Sequence, residues 1–259
     1  MKNITIILPI HRLEGTYPEM LKNAVSSIEN FHNDVNLLLV CPNNLKDKLN
    51  NLSDKLDIKI ITNSGKTDFC SQVNLGIDNC ETEWFSILEI DDEFKPIWLK
   101  MVDTCIKENP DVDVFLPIVK DINSEGNFIS FTNESVWAYG FSEVQGELDN
   151  EVLLEYQSYQ ISGGLYKTKK FLEVGGLKSN IKLTFGYELL LRLTHNGSKI
   201  VVIPRLGYRH VNLREDSLFW KYKNDETLKL GEKEAKFWID TAKKEFFFTN
   251  KREVNYNEN

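Results

Sequence analysis

Short apolar, β-branched runs alternate with amphipathic stretches through the first 120 residues, and few folds satisfy that order. Ile4 to Ile10 is of strand length and closes at Pro9; Val35 to Val40, Ile58 to Ile61, Trp84 to Ile90 and Asp113 to Pro117 repeat the type. Runs apolar at every position predict strands buried on both faces, the habit of parallel sheets. Between them, Tyr17, Leu21, Ala24, Val25, Ile28 and Phe31 stand at helical spacing. Thr16 before Glu19, with Pro18 between, reads as a capping box opening that helix. Leu45 to Leu56, a stretch through Val73, Ile77 and Cys80, and one from Pro96 through Leu99, Val102 and Ile106 predict further helices. The fold class is therefore α/β: a mostly parallel central sheet with flanking helices.

Beyond this the pattern changes. Lys120 to Tyr159 has scattered aromatics and no helical period, and predicts a small antiparallel part with an active-site loop. A strong helix carries Tyr187, Leu190, Leu191 and Leu193, and Lys199 to Ile203 predicts a strand ended by Pro204. One long helix is expected near the end, with Ala235, Trp238, Ile239, Ala242 and Phe246 on a stripe. The reading is one domain over 1–217, in halves 1–120 and 121–217, then a helical extension at 218–250 and a polar tail at 251–259.

A net charge of −8 over 259 residues argues against general affinity for DNA or RNA. Cys41, Cys70, Cys80 and Cys105 form no CxxC pair, which argues against structural zinc and for reduced thiols. The opening MKNITIILPIHR lacks the long apolar stretch and cleavage site of a signal peptide, and no run reaches the roughly 18 apolar residues of a membrane helix. A cytoplasmic protein is expected, with attachment to a membrane face left open.

No GxGxxG, GxxxxGK[ST] or GxSxG pattern occurs, which removes most dinucleotide-binding, P-loop and hydrolase readings. The concentrated chemistry is Glu89-Ile90-Asp91-Asp92-Glu93, directly after a predicted parallel strand, where open sheets bind ligands. Strand alternation would send Glu89 and Asp91 to one side, a pair able to hold a hard divalent cation; a solvated acidic turn is the alternative. Asp121 reads as a turn residue. Asn63-Ser64-Gly65-Lys66 is either a ligand-facing turn or a surface one, and His210 either a metal ligand or structural. His195 reads as a helix end capped by Gly197, His11 as lining a cleft, and His32 as surface.

Six stretches in order resemble a family 2 glycosyltransferase of the GT-A fold, over roughly residues 2 to 215: Ile6 to His11, Asn63-Ser64-Gly65 with Val73 to Gly76, Leu88 to Asp92, Ser162 to Leu165 with Phe171 to Leu177, Leu189 to Pro204, and Tyr208-Arg209-His210. The resemblance implies a nucleotide-sugar half at 1–120 and an acceptor half at 121–217. It implies a nucleotide pocket lined by Pro9, His11, Asn63, Lys66, Asp68, Asn74, Glu89, Ile90 and Asp91. Mn²⁺ or Mg²⁺ would be held by Asp91 and His210, and a sugar, UDP-linked by first expectation, would pass to a hydroxyl acceptor with inversion. Arg192 would orient a carboxylate or the closing loop.

The sequence departs from the family at three places. Cys41-Pro42-Asn43 stands where an acidic residue often holds the base, and Glu89 replaces the first Asp of the metal motif. Phe185 and Gly186 occupy the acidic positions before Arg192, and neither can take a proton. Glu188 is then a displaced base, or Glu143, Glu147 or Asp149 enters from the variable loop, or the chain is an inactive nucleotide-sugar or glycan binder. The acceptor stays open among a glycan, a lipid-linked intermediate, a protein side chain and a modified nucleobase. Phe246-Phe247-Phe248 would dock on the sheet, on a second copy through the C-terminal helix, or on a membrane.

Overall fold

The computed structural model describes residues 3–31, 33–50, 52, 56–134, 146–224 and 229–244. His32, Glu143, Phe246 to Phe248 and the 251–259 tail lie outside the described residues.

In chain order the elements are β1 (Ile4–Pro9), α1 (Tyr17–Ile28), β2 (Val35–Pro42), β3 (Ile58–Asn63), α2 (Phe69–Asp78), β4 (Trp84–Ile87), β5 (Glu93–Phe94) and α3 (Pro96–Glu108). The second half adds β6 (Val114–Ile122), β7 (Phe128–Thr132), β8 (Gly146–Leu148), α4 (Asn150–Glu155), β9 (Leu165–Lys167), α5 (Thr168–Glu173), α6 (Phe185–His195), β10 (Ile200–Val211), α7 (Leu218–Lys223) and α8 (Leu230–Lys243). All ten strands join one sheet, with path order β3-β2-β1-β4-β9-β6-β10-β5, while β7 pairs with β6 and β8 with β10. β1, β2, β3 and β4 pair in parallel, as do β6 and β10. The short β5, β7, β8 and β9 run antiparallel to their neighbours. The expected α/β architecture is therefore present, antiparallel part included.

Alternate residues of each long strand feed different cores. Ile6 and Leu8 pack with α1 and α3, while Ile7 joins Val73 and Ile77 of α2 and Leu190 of α6 on the opposite face. This two-sided burial is why the strands read as unbroken apolar runs. β2 and β4 flank β1 on opposite sides, so the order of the chain reverses there, and such a point opens a crevice beyond the strand ends.

Four local expectations are corrected. Thr16 itself adopts helical angles (φ −82°, ψ −10°), so its hydroxyl makes no cap bond, and Pro18 sits in the first turn of α1. Among the described residues the 45–56 stretch takes part in a 3₁₀ segment, Asn43–Leu49. Pro204 does not end β10: the strand continues to Val211 through register shifts between Ile203 and Tyr208, an irregularity that spares the ladder a missing N–H. The single long terminal helix is two helices, α7 and α8. α8 docks by burying Trp238 in the α6-side core, and its Glu234 accepts the N–H groups of Lys182, Leu183 and Thr184 at 2.9, 3.0 and 3.0 Å.

Gly163 locks the two halves of the sheet. It has φ +80°, its N–H reaches the Ile87 carbonyl at 2.8 Å, and its carbonyl accepts the Trp98 indole N–H at 2.9 Å. A Cβ there would stand 2.5 Å from the Tyr208 ring. Strain and overpacking together predict that Gly163→Ala lowers unfolding stability by about 3 kcal/mol, measured as a shifted urea midpoint at unchanged slope.

Candidate functional site

A cavity of about 820 Å³ opens beyond the C-terminal ends of β1, β4 and β10. Its floor carries Glu89, Ile90, Asp91 and His210; one wall is Pro9, His11, Asp68 and Gln72. The opposite wall comes from the start of α6, with Phe185, Gly186 and Tyr187, and from Leu218 and Phe219 of α7.

The carboxylate cluster is built by a turn. β4 stops at Ile87, and the Asp92 N–H bonds back to the Glu89 carbonyl at 3.1 Å. Strand alternation therefore no longer applies, and the turn brings Glu89 toward Asp92. β5 then pairs with Tyr208 and Arg209 of β10, which sets Asp92 beside His210. The fully buried Asp92 accepts the Val211 N–H at 2.8 Å and stands 2.9 Å from His210 Nδ1. Glu89 accepts the Ser162 hydroxyl at 2.7 Å, and its N–H donates to the Tyr208 hydroxyl at 3.0 Å.

Ligand atoms of Glu89, Asp92 and His210 lie within 4.8 Å of one another. This candidate metal group includes His210, as expected, together with Glu89 and Asp92. Asp91 lines the cavity but pairs with Arg214 at 3.1 Å.

These groups strain one another electrically. Burial, and then Asp92, raise the Glu89 carboxyl above its ordinary value, and the same two causes raise Asp91 against the pull of Arg214. Burial would lower His210, but the facing Asp92 outweighs it and holds the imidazolium up to about 10. Burial, with Arg12 and then Arg214 nearby, lowers His11 to about 4, so that ring is neutral at pH 7. Closely spaced buried carboxylates of this kind are what an incoming cation would relieve.

Other expected site residues have other duties. Asp68 reaches the cavity and caps α2, accepting the Ser71 N–H at 3.0 Å. Asn63 shapes its own turn by accepting the Gly65 N–H at 2.8 Å and donating to the Lys66 carbonyl; neither Asn63 nor exposed Lys66 lines the cavity. Asn74 points instead to the second half of the chain, bonding both backbone groups of Leu177 at 2.7 and 2.8 Å.

Glu188 and Arg192, expected in catalysis, pair with each other away from the cavity lining. Both are buried. Arg192 Nε and Nη2 hold the two Glu188 oxygens at 2.8 Å each, and Lys178 adds a third contact at 2.8 Å. Arg192 also donates to the Val174 and Gly176 carbonyls. The helix turns Phe185, Gly186 and Tyr187 toward the cavity and Glu188 into the core. Glu147 lies on β8 away from the cavity, and Asp149 caps α4 by accepting the Val152 N–H at 2.9 Å.

Several cavity residues escaped the sequence reading. Asp121 is a buried residue of β6 beside His210 in the strand register, not a turn residue; it accepts Ser130 Oγ at 3.1 Å and the Thr132 hydroxyl. Gln72 clamps the end of β1 by donating to the Ile10 and Thr67 carbonyls at 3.1 Å each. Arg12 and Arg214 both donate to the Tyr17 hydroxyl and lie 4.3 and 4.8 Å from its ring centroid. Contacts that span 197 residues leave no local signal.

Two measurements check this geometry. Glu188→Ala should cost about 3–5 kcal/mol of stability, because it strands a buried guanidinium, while any nucleotide affinity stays within about twofold. His210 has a native pKa above its unfolded 6.5, so its contribution to stability is complete below pH 6.5 and fades toward pH 10. In chelator, the melting-temperature gap between wild type and His210→Asn should narrow across that window; a constant gap would contradict the His210–Asp92 pairing.

The family model for glycosyl transferase family 2 matches residues 5–161. No curated protein matches the chain. Among solved structures, S. aureus TarS 1-349 with UDP-GlcNAc superposes with a TM-score of 0.70 at 14% identity, covering 93% of this chain and 66% of that one. TarS 1-349 in complex with UDP gives 0.65 at 15% identity, with coverages of 93% and 65%. TarS 1-349 alone gives 0.64 at 15%, with coverages of 81% and 60%. The chain thus spans 60% to 66% of the TarS 1-349 structures, and their likeness is one of fold. The family match takes in β1 through α4 and the whole carboxylate turn, more than half of the sequence, and the chain belongs to glycosyl transferase family 2.

Proposed function

We propose that this chain transfers a sugar from a nucleoside-diphosphate donor, UDP-linked by preference, to a hydroxyl of a glycan or similar acceptor, with metal dependence and inversion. One observation carries the reading: a single cavity joins a wall at Pro9, His11, Asp68 and Gln72 to Glu89 and His210 of the Glu89–Asp92–His210 group. UDP is favoured because TarS structures of the same fold hold UDP and UDP-GlcNAc.

The residues suit both absent groups. Two carboxylates and an imidazole make a donor set for Mn²⁺ ahead of Mg²⁺. When bound, such a cation supplies positive charge against the departing diphosphate. Arg12 and Arg214 add guanidinium charge at the same mouth, and the buried Arg12 Nε has no hydrogen-bond partner among the described residues. This replaces the expected role of Lys66. Asp92 orients His210 through Nδ1.

Inversion needs a base on the acceptor side. Among cavity carboxylates, Asp68 caps a helix, Glu89 belongs to the metal group and Asp91 is paired with Arg214. Asp121 lies at the acceptor-side edge and is the base of this reading: it takes the hydroxyl proton as the new C–O bond forms and the bond to diphosphate breaks. The free thiols support a reducing, cytoplasmic setting, and among the described residues no helix is long and apolar enough to cross a membrane. Exposed Phe237 on α8 supports contact with a second copy, which light scattering would detect as a dimer mass.

The test is nucleoside-diphosphate release from UDP-, GDP-, CDP- and dTDP-sugars with Mn²⁺, alongside calorimetric binding of each nucleotide. Release from a UDP-sugar should vanish in EDTA and fall about 10²-fold or more in Asp121→Asn at kept nucleotide affinity. Asp92→Asn should weaken metal-dependent nucleotide binding about 10- to 100-fold. Metal-dependent binding without turnover, in the presence of acceptors, would favour the inactive binder suggested by Phe185 and Gly186. No binding of any nucleotide would end the donor-site reading.

A further inference from the structure

A second cavity, of about 530 Å³, adjoins the first between β7 and the segment after α4. Thr132, Gln157 and Ser158 line both, so the two share an edge. We propose that this side cavity is the acceptor subsite and that it takes an uncharged or amine-bearing glycan, not a polyanionic chain. The proposal rests on the transferase reading above and names the acceptor class for it.

Three features point to a sugar. First, Phe131 offers an aromatic face on an edge strand where every residue is at least partly open to solvent. The ring is 43% exposed and braced by Phe128, with centroids 4.9 Å apart. Such a fixed exposed ring suits the C–H face of a pyranose, and Tyr156 lines the same cavity.

Second, the remaining lining is rich in hydrogen-bond acceptors for sugar hydroxyls: the exposed carboxylates Glu134 and Glu155, the Gln157 amide and the Ser158 hydroxyl. Third, the wall between the cavities is rigid. Asn133 is buried with φ +68°, donates to the Pro117 and Gln160 carbonyls at 2.9 and 3.1 Å, and accepts the Gln160 N–H at 3.0 Å. Asn tolerates that conformation, and the three bonds hold this edge of the cavity in place.

Charge sets the class. Glu134 and Glu155 give the cavity a negative field that repels phosphate or carboxylate chains and draws an ammonium. Thr132 sets the direction of entry: its hydroxyl donates to Asp121, so a sugar hydroxyl passing it meets the proposed base.

The experiment titrates the full chain, followed by NMR, with cellotetraose, a β-1,4-glucosamine tetramer and a hyaluronan tetrasaccharide, each with and without UDP and Mn²⁺. The first two should bind and the third should not. Phe131→Ala should weaken both by about fivefold or more. Glu134→Gln and Glu155→Gln should each weaken the glucosamine tetramer by about threefold and cellotetraose less. All three positions are exposed, so melting temperature and UDP affinity should hold. Failure of cellotetraose and the glucosamine tetramer to bind wild type, binding unchanged in Phe131→Ala, or preference for hyaluronan would overturn the proposal. A dimer lost on Phe131→Ala would overturn it too, assigning the strand to self-association. UDP binding is read in its own titration, so failure of the donor site stays distinguishable from failure of this subsite.

Discussion

Glu89 and Asp92 are like charges brought together where water is scarce, and much of the second half of the chain is arranged around that cost. Each would be expensive to bury without partners. The partners arrive from far along the sequence: the Ser162 hydroxyl for Glu89, and His210 with the Val211 N–H for Asp92. The last two require β10 to run past Pro204 to the carboxylate turn, which it does by slipping register twice. Tyr208, buried on the way, supports the turn through its hydroxyl and is itself fitted against Gly163. The sheet's parallel left side creates the crevice, and β10 closes its electrostatics.

On the other rim the sign is reversed. Tyr17 stands between Arg12 and Arg214, accepting a hydrogen bond from each and showing its ring to both. Two guanidiniums are thereby kept close together, with Asp216 bonding Arg12 and Asp91 bonding Arg214. The cavity is thus polarised from carboxylates at its floor to guanidiniums at its mouth, although the chain as a whole is acidic. Net charge describes how the protein meets bulk solution; it says little about the field inside a cleft.

What could be read from the sequence follows the range of the interactions involved. β1, β2 and β4 are legible because burial on both faces leaves an unbroken apolar run. Misreadings came where a local rule was carried past its element. Alternation was applied to Glu89 and Asp91 after β4 had already ended, and the i, i+3 geometry of the turn selected Asp92 instead. Pro204 was taken as a terminator because a regular ladder needs its missing N–H, whereas an irregular one does not. Glu188 was read as reachable by the acceptor, but a carboxylate four residues before an arginine on a helix has a closer partner. Arg214 and Asp121 gave no signal, since their roles depend on strands and loops that meet only after folding.

The way α8 holds Glu234 against the approach to α6 has a consequence for where anions can sit. The start of a helix, with its free N–H groups, is a natural receptor for phosphate. Here the Glu234 carboxylate and the Thr184 hydroxyl, 3.0 Å apart, occupy the loop leading into that start. The N–H groups of Lys182 to Thr184 are thereby closed to an incoming anion. A diphosphate entering the cleft would therefore meet the guanidinium rim and the floor group, with the loop before α6 already answered from within the chain. The C-terminal helix, though remote in sequence from every carboxylate of the floor, thus sets which backbone donors beside the cleft stay available.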